Sequence, residues 1–443
     1  MALALAMIMQ FFTDLGVSNT FLREGTKKEN LSATFASYIK VRVICLLIAF
    51  IVFSAGIHVF YQEILVLYMM YSLMIPMVIG LTMQSIGITY FQLTERMQFI
   101  ASIKISSAII LVVLTTLCMV FKVDVYMAAF LYGFSYLAGG FYSLYLLRKK
   151  AKVEWKSSFQ RQLLANLSPF LISGLLIMLA PVLGPLVLEK TLPLTLVGLF
   201  AVAYRIPAAL YQVPGVMAGA FFPLLFKHYN RGELGEHTRL NILQMKIMSL
   251  IGMCMTITLF YLAVYFIAIL FGDTWGSAVQ PLKILSFIIV LQGFNIAIAD
   301  GLTTRGLQNR RTITQFMSIA IGLVSFYYLS ISYGVAGAAF AVLIMEVVSF
   351  IGYVLANPIR RTVFTRVIIP YGFYFSIGFT LLNYFLDRYP FIAMLSTIIL
   401  VISLVLLLDK TLKRLLVDSM RKKKSQNNIQ LNDGRQSENG KMA

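Results

Sequence analysis

The chain has 443 residues, 59% of them hydrophobic and 12% charged, with a formal net charge of +19 and a mean hydropathy of +0.83. That is too apolar for an ordinary soluble domain, because the apolar runs repeatedly reach the ~20 residues that a ~30 Å hydrocarbon core requires. Lys and Arg sit almost entirely in the short links between alternate runs, so the positive charge is an orientation signal of a polytopic membrane protein and not the footprint of nucleic-acid binding.

Spans are expected at about 1–21, 38–60, 64–90, 99–121, 125–147, 166–188, 194–226, 243–270, 279–302, 313–332, 335–356, 365–386 and 390–408, roughly thirteen helices in an all-α fold. The opening MALALAMIMQFF lacks the positive n-region and small-residue cleavage site of a signal peptide, and reaches span length only if helix continues toward Phe21. If Arg23 marks the inner boundary, Asp14 lies about 12 Å above it. There it either lines a cavity or caps a helix break at Leu15 and Gly16. Arg23, Arg42 and Lys104 lie toward the basic mouth, where they either form a vestibule for a diphosphate head group or snorkel to anionic lipid.

Every second link is basic: Arg23, Lys27 and Lys28; Arg96; the run from Arg148 to Arg161; Lys227, Arg231 and Arg239; Arg305, Arg310 and Arg311; Arg360 and Arg361; and the tail from Lys410. These faces are expected in the cytoplasm, with the carboxyl end. The opposite links carry His58 with Glu63, Lys122 with Asp124, Glu189 with Lys190, Asp273, and Asp387 with Arg388, and are nearly neutral. The expected organisation is an N-terminal lobe at 1–147, a cytoplasmic link at 148–165, a second lobe at 166–356, two additional spans within 365–408, and a basic, polar, disordered tail at 409–443.

The stretch from Leu179 to Tyr229 holds the segment with the most chemistry: Arg205 near the middle of a span that also contains Pro207, Pro214 and Pro223. Arg205 lies about 15 Å inside, near the midplane, where a charge costs at least ~2.5 to 3.5 kcal/mol unless paired or hydrated. It either grips a pyrophosphate through forked hydrogen bonds or pairs with Glu346 at similar depth, and the two roles are compatible if substrate competes for it. Glu346 is either that counter-ion or a protonatable coupling residue. Tyr204 and Tyr211 either stack on sugar rings or pack, and the prolines permit a hinge.

Asp300 and Arg305, near the inner end of their helix, are close enough to pair, and Lys283 is expected to snorkel. His58, His228 and His237 read as solvated link residues, and Cys45, Cys118 and Cys254 as packing residues, so no metal site and no cofactor are expected. The absence of a GxxxxGK segment argues against ATP hydrolysis.

An internal repeat links the halves. FYQEILVLYMM and FQLTERMQFIA are echoed by FGDTWGSAVQPLKIL and GLQNRRTIT, and VDVYMAAFLYGFSYLAGG by YGVAGAAFAVLIMEVVSF, at an offset on the order of 210 residues. An even number of helices separates the copies, which predicts two parallel lobes. Counted from the repeat, the second lobe opens near Asn166 with a helix that has no counterpart before Met1, so the first lobe is expected to lack its opening helix, through a mis-assigned start or a truncation.

In order along the chain, FFTDLGVSNTFLREGTKK (11–28), LVGLFAVAYRIPAAL with FFPLL (196–225), ILFGDTWGSAVQPLKIL (269–285) and YGVAGAAFAVLIMEV (333–347) resemble the polysaccharide repeat-unit (O-antigen and capsule) flippases of the multidrug/oligosaccharidyl-lipid/polysaccharide exporter superfamily. The departure is at the start, where that family has one more helix. The resemblance implies a MATE-like fold in the cytoplasmic membrane and alternating access. It implies a polyprenyl-pyrophosphate-linked oligosaccharide as cargo, H+ or Na+ coupling, membrane lipid as surroundings, and the pathway's polymerase and glycosyltransferases as partners. A multidrug or organic-cation antiporter of the same superfamily is the second reading. An integral-membrane enzyme of the glycan pathway is the third, disfavoured because every internal link is shorter than about 25 residues, too little for a catalytic loop.

Overall fold

In the computed structural model, which describes residues 2–27, 31–60, 63–164, 167–386, 389–409 and 411–413, those residues form helices and short connections with no strand among them. In chain order the helices are α1 (Ala2–Asp14), α2 (Val17–Gly25), α3 (Leu31–Phe60), α4 (Ile64–Leu93), α5 (Met97–Val120), α6 (Val125–Lys150), α7 (Leu167–Thr191), α8 (Leu194–Leu210), α9 (Gln212–Asn230) and α10 (Leu234–Tyr261). They continue as α11 (Ala263–Phe271), α12 (Val279–Thr304), α13 (Gln308–Ala356), α14 (Arg360–Val363), α15 (Ile369–Leu386) and α16 (Pro390–Leu408). Short 3-10 turns occupy Arg161–Leu164 and Asp273–Ala278, and a π-helical turn spans Phe364–Ile368. Most of the basic tail, Lys28, Asn166, Asp387, Arg388 and Lys410 lie outside the described residues.

Nine helical stretches among the described residues are long and apolar enough to cross a membrane. One of them, α13, contains two of the expected spans. At Gly334 the backbone takes φ 58° and ψ −135°, and the chain turns back on itself. Ser318 Oγ then donates to the Met345 carbonyl at 2.5 Å and Ser349 Oγ to Ser318 Oγ at 2.7 Å, while Arg310 Nη1 reaches the Ala356 carbonyl at 3.2 Å. The two arms of α13 therefore run antiparallel. Three other expected spans are broken: the first between α1 and α2, the seventh between α8 and α9, and the eighth between α10 and α11.

Two bundles result. α1 to α6 pack among themselves, most extensively α4 against α6, and α7 to α13 pack around α12. The α4–α6 seam is close because Gly80 has no side chain: a Cβ there would collide with the Tyr136 and Leu137 backbone, so backbones meet where small residues allow, as membrane helices do without a hydrophobic driving force. α15 and α16 pack on each other and on α10. Their anchor is polar: Lys246 Nζ meets Asp409 Oδ2 at 2.6 Å with both side chains under 10% exposed, and the Tyr371 hydroxyl donates to the same carboxylate at 3.2 Å.

Candidate functional site

The bundles touch mainly at one end, the basic one. There α2 and the end of α4 meet α9 and the start of α7. Asn230 Nδ2 donates to the Arg23 carbonyl at 3.0 Å and to Thr26 Oγ1 at 2.7 Å, and Lys227 Nζ pairs with Glu95 Oε1 at 3.0 Å. Thr20 Oγ1 donates to the Leu163 carbonyl at 2.9 Å, and the Arg23 guanidinium lies 5.8 Å from the Phe170 ring centre. Proline chemistry supplies one more bond. Pro223 has no N–H for the Gly219 carbonyl one turn back, and Gln92 Nε2 of α4 donates to that carbonyl at 3.0 Å.

Toward the other end the bundles part. α8 packs on α7, α12 and α13 of its own bundle, while Leu3 and Met7 near the start of α1 are 39% and 60% exposed. Arg205 is exposed on α8 and forms no hydrogen bond or ion pair among the described residues. The expected Arg205–Glu346 pair is therefore absent. Arg205 points away from the second bundle's interior because Phe200, Ala203, Ile206 and Pro207 occupy the inward face of α8.

Glu346 instead sits in a cavity of about 390 Å³ inside the second bundle, lined also by Tyr204, Tyr211, Gln292, Asn295 and Arg311. Its carboxylate accepts amide donors from Gln292 and, at 2.8 Å, from Asn295 Nδ2. Two neutral donors, not a guanidinium, thus compensate a carboxylate that is 9% exposed. Arg311 faces the same cavity and donates from Nη1 to Thr303 Oγ1 at 2.8 Å, leaving a buried Nε without a partner. The cavity combines acceptor oxygens, phenolic rings and one cation, a set able to hold a small cation or proton at the carboxylate, or an aromatic or cationic group against the tyrosines.

Of the three prolines, Pro207 lines this cavity, and Pro214 lies one turn after Leu210, whose carbonyl it leaves without a helical donor where α8 gives way to α9. Pro223 frees the carbonyl used at the basic end. Gln292 and Asn295 were legible as polar residues three apart in an apolar helix, but Arg311, counted with the basic link, was not.

In the first bundle Arg42, expected either in a vestibule or snorkelling to anionic lipid, is completely buried and does neither. Its Nη1 meets Asp14 Oδ1 at 2.6 Å and the Thr13 carbonyl at 2.7 Å, and its Nη2 reaches Ser85. Asp14 also accepts from Ser18 Oγ at 2.5 Å. The break after Asp14 uses left-handed backbone at Leu15 (φ 48°) and Gly16 (φ 81°). Arg42 holds that break by capping the end of α1. Gly16 is required twice over, since a Cβ there would also lie 2.7 Å from Phe170 Cβ of α7.

The remaining residues fall outside both clusters. Lys104 is exposed on α5 and unpaired among the described residues, as either a vestibule or a snorkelling lysine would be. Asp300 and Arg305 do not pair: Asp300 is 6% exposed and accepts from Gln244 Nε2 at 2.7 Å, whereas Arg305 donates to His237 Nδ1 at 3.3 Å and Thr238 Oγ1 at 2.6 Å. Burial pulls the Arg305 guanidinium below its usual pKa, against an opposing effect of Tyr229. His237 is no solvated link residue. It is fully buried on α10, with Nε2 2.8 Å from Thr304 Oγ1. No group of His, Cys, Asp and Glu suited to a metal ion occurs among the described residues.

The family described as polysaccharide biosynthesis protein matches residues 1–229, more than half of the chain. No curated protein matches the sequence. Solved structures share the fold. A multidrug resistance MATE family transporter in an outward-facing conformation superposes with a TM-score of 0.69 at 16% identity, over 80% of this chain and 84% of that one. A transporter of the MOP superfamily from Pyrococcus furiosus, described as having a binding pocket of reverse polarity, gives a TM-score of 0.69 at 14% identity over 81% and 85%. The Vibrio cholerae MATE transporter VcmN, in its bent form, gives 0.64 at 13% over 82% and 87%.

Proposed function

The chain belongs to the polysaccharide biosynthesis protein family, and on that footing we propose that it flips a polyprenyl-pyrophosphate-linked oligosaccharide across the cytoplasmic membrane by alternating access. The observation that carries this reading is the geometry of the two bundles: latched at the basic end by α2, α4 and α9, parted at the other end, with Arg205 exposed on α8. An exposed guanidinium at membrane depth is stable only against water or an anion, and its fork suits a pyrophosphate. Tyr204 and Tyr211 belong in this reading to the second-bundle cavity around Glu346, not to the sugar path. Glu346 there is the group we assign to H+ or Na+ coupling, because its two amide partners stabilise the charged carboxylate without cancelling it. The polymerase and glycosyltransferases acting on the same lipid-linked glycan are its proposed partners.

The test is depletion of the chain followed by extraction of lipid-linked glycan from each leaflet. Accumulation on the cytoplasmic side, reversed by the wild-type chain and not by Arg205→Ala at equal membrane abundance, is expected. Normal surface glycan in the Arg205→Ala strain would remove the guanidinium from the mechanism.

One observation favours the second reading, a multidrug or organic-cation antiporter. The Glu346 cavity sets a buried carboxylate beside Tyr204, Tyr211 and Tyr353, a surround that suits an organic cation. Saturable binding of an organic cation, lost in Glu346→Gln, with no lipid-linked intermediate accumulating on depletion, would select it.

A further inference from the structure

A second concavity lies on the outside of the second bundle, away from the transport route. Where the second arm of α13 ends, the chain turns through Asn357, whose Oδ1 accepts the Ile359 N–H at 3.1 Å, and enters α14 and the π-helical turn. Between them is a groove of about 400 Å³ walled by Phe350, Ile351, Val354, Leu355, Phe364 and Ile368, with Arg360 and Arg361 also lining it. The walls belong to the lipid-facing surface: Ile351, Leu355 and Phe364 are 51%, 61% and 50% exposed. The π-helical turn begins at Phe364 and ends at Ile368, and both of these residues contribute to the groove wall.

Charge distinguishes this groove from ordinary membrane-facing surface. Arg360, Arg361 and Arg366 are all exposed and none forms an ion pair among the described residues. No Asp or Glu occurs in the sequence between Glu346 and Asp387 to neutralise them. An apolar slot ending in two adjacent arginines complements one kind of molecule, an acyl chain carrying an anionic head group. We propose that this groove is a binding site for an anionic glycerophospholipid of the leaflet on the basic side, with one acyl chain against Phe350, Val354 and Phe364 and the phosphate between Arg360 and Arg361. The arginine forks hold a phosphate that a zwitterionic lipid would offer only with its own cation attached. Long-range attraction to an anionic leaflet acts on every basic link of the chain, and here a shaped apolar wall on the lipid-facing surface adjoins the charge.

The test uses the full chain carrying Trp155→Phe and Trp275→Phe, with Phe364→Trp as reporter, in phosphatidylcholine nanodiscs. Increasing fractions of brominated phosphatidylglycerol or brominated phosphatidylcholine are added. The expected result is quenching by the brominated anionic lipid at low fractions, corresponding to enrichment on the order of tenfold over the bulk. That excess disappears in R360Q/R361Q. It also falls in Val354→Phe, which keeps both arginines and fills the slot, so a topological effect of the lost charges is separated from loss of the site. Equal quenching by the two lipids at equal fractions would overturn the proposal. So would reporter fluorescence that ignores brominated lipid and changes only with protein-to-disc ratio, which would place a second copy of the chain in the groove.

Discussion

Gln92 of α4 donates to the Gly219 carbonyl of α9 at 3.0 Å, and that carbonyl is available because Pro223 cannot supply the helical N–H. A helix defect in one bundle is thus the acceptor for a side chain of the other. The bond, with the Lys227–Glu95 pair and the Asn230 contacts, closes the basic end in this conformation.

Gln92→Leu is expected to loosen that closure. A net hydrogen bond contributes about 1 kcal/mol, so the ratio of closed to open molecules at the basic end should fall roughly fivefold. Spin labels on exposed positions of α5 and α10 near their basic ends would report it as a second, longer distance. Pro223→Ala, which restores a helical donor to the Gly219 carbonyl, should act in the same direction. An unchanged distance distribution in both variants would show that this bond does not bias the equilibrium.

Asp14 and Arg42 form the other decisive pair, and here the expected effect is on stability. Asp14→Asn removes the ionic partner of a completely buried guanidinium and leaves it the Thr13 carbonyl and Ser85; breaking a fully buried pair on one side costs about 3 to 5 kcal/mol, and the cost here is smaller because Asp14 is 30% exposed. The melting temperature in detergent should drop. The double change Asp14→Leu with Arg42→Met removes both charges and should recover most of the loss. If the double variant melts as low as Asp14→Asn, the pair has a role beyond mutual compensation.

The helices themselves were legible because span length is imposed by the bilayer, and the reversal at Gly334 coincides with the glycine that separates two apolar runs. What the sequence did not reveal was rotation. A helix with apolar neighbours inside and lipid outside carries little amphipathic signal, so the depth of Arg205 could be counted but not its face. The same blindness hid the partner of Arg42, since residues 28 apart meet only through the packing of α3 on α1. It also produced the Arg205–Glu346 pairing, which matched depths without knowing that Pro207 and Ala203 face inward in place of Arg205. Gln292 and Asn295 were readable in principle, being isolated amides three apart in the run from Ile288 to Asp300.

Glu346→Gln tests the coupling role without removing the side chain. Glutamine keeps one acceptor oxygen for Asn295 and adds donors that face those of Gln292, so the fold should survive with a modest loss of stability, about 1 to 3 kcal/mol for an unsatisfied buried group. Transport in proteoliposomes should lose its response to an imposed proton or sodium gradient while downhill exchange persists. A variant that responds to the gradient as the wild type does would leave Glu346 as a structural group.

The pair between Asp409 and Lys246 yields a pH dependence with a definite sign. Burial on its own would raise the Asp409 carboxyl, but the Lys246 ammonium at 2.6 Å and the Leu412 and Thr411 backbone N–H groups outweigh it and hold the carboxyl below its usual value. A carboxylate whose folded pKa is depressed stabilises the fold fully above the ordinary Asp value of about 3.9, and that stabilisation is lost as pH falls through the lower folded value. Because Asp409 fastens the end of α16 to α10, acidification should release this helix first. Melting temperatures of the wild type and of Lys246→Met with Asp409→Asn, compared between neutral pH and about pH 3, should therefore converge as pH falls, the wild type losing more. Parallel curves across that range would show that the pair does not contribute to holding α16.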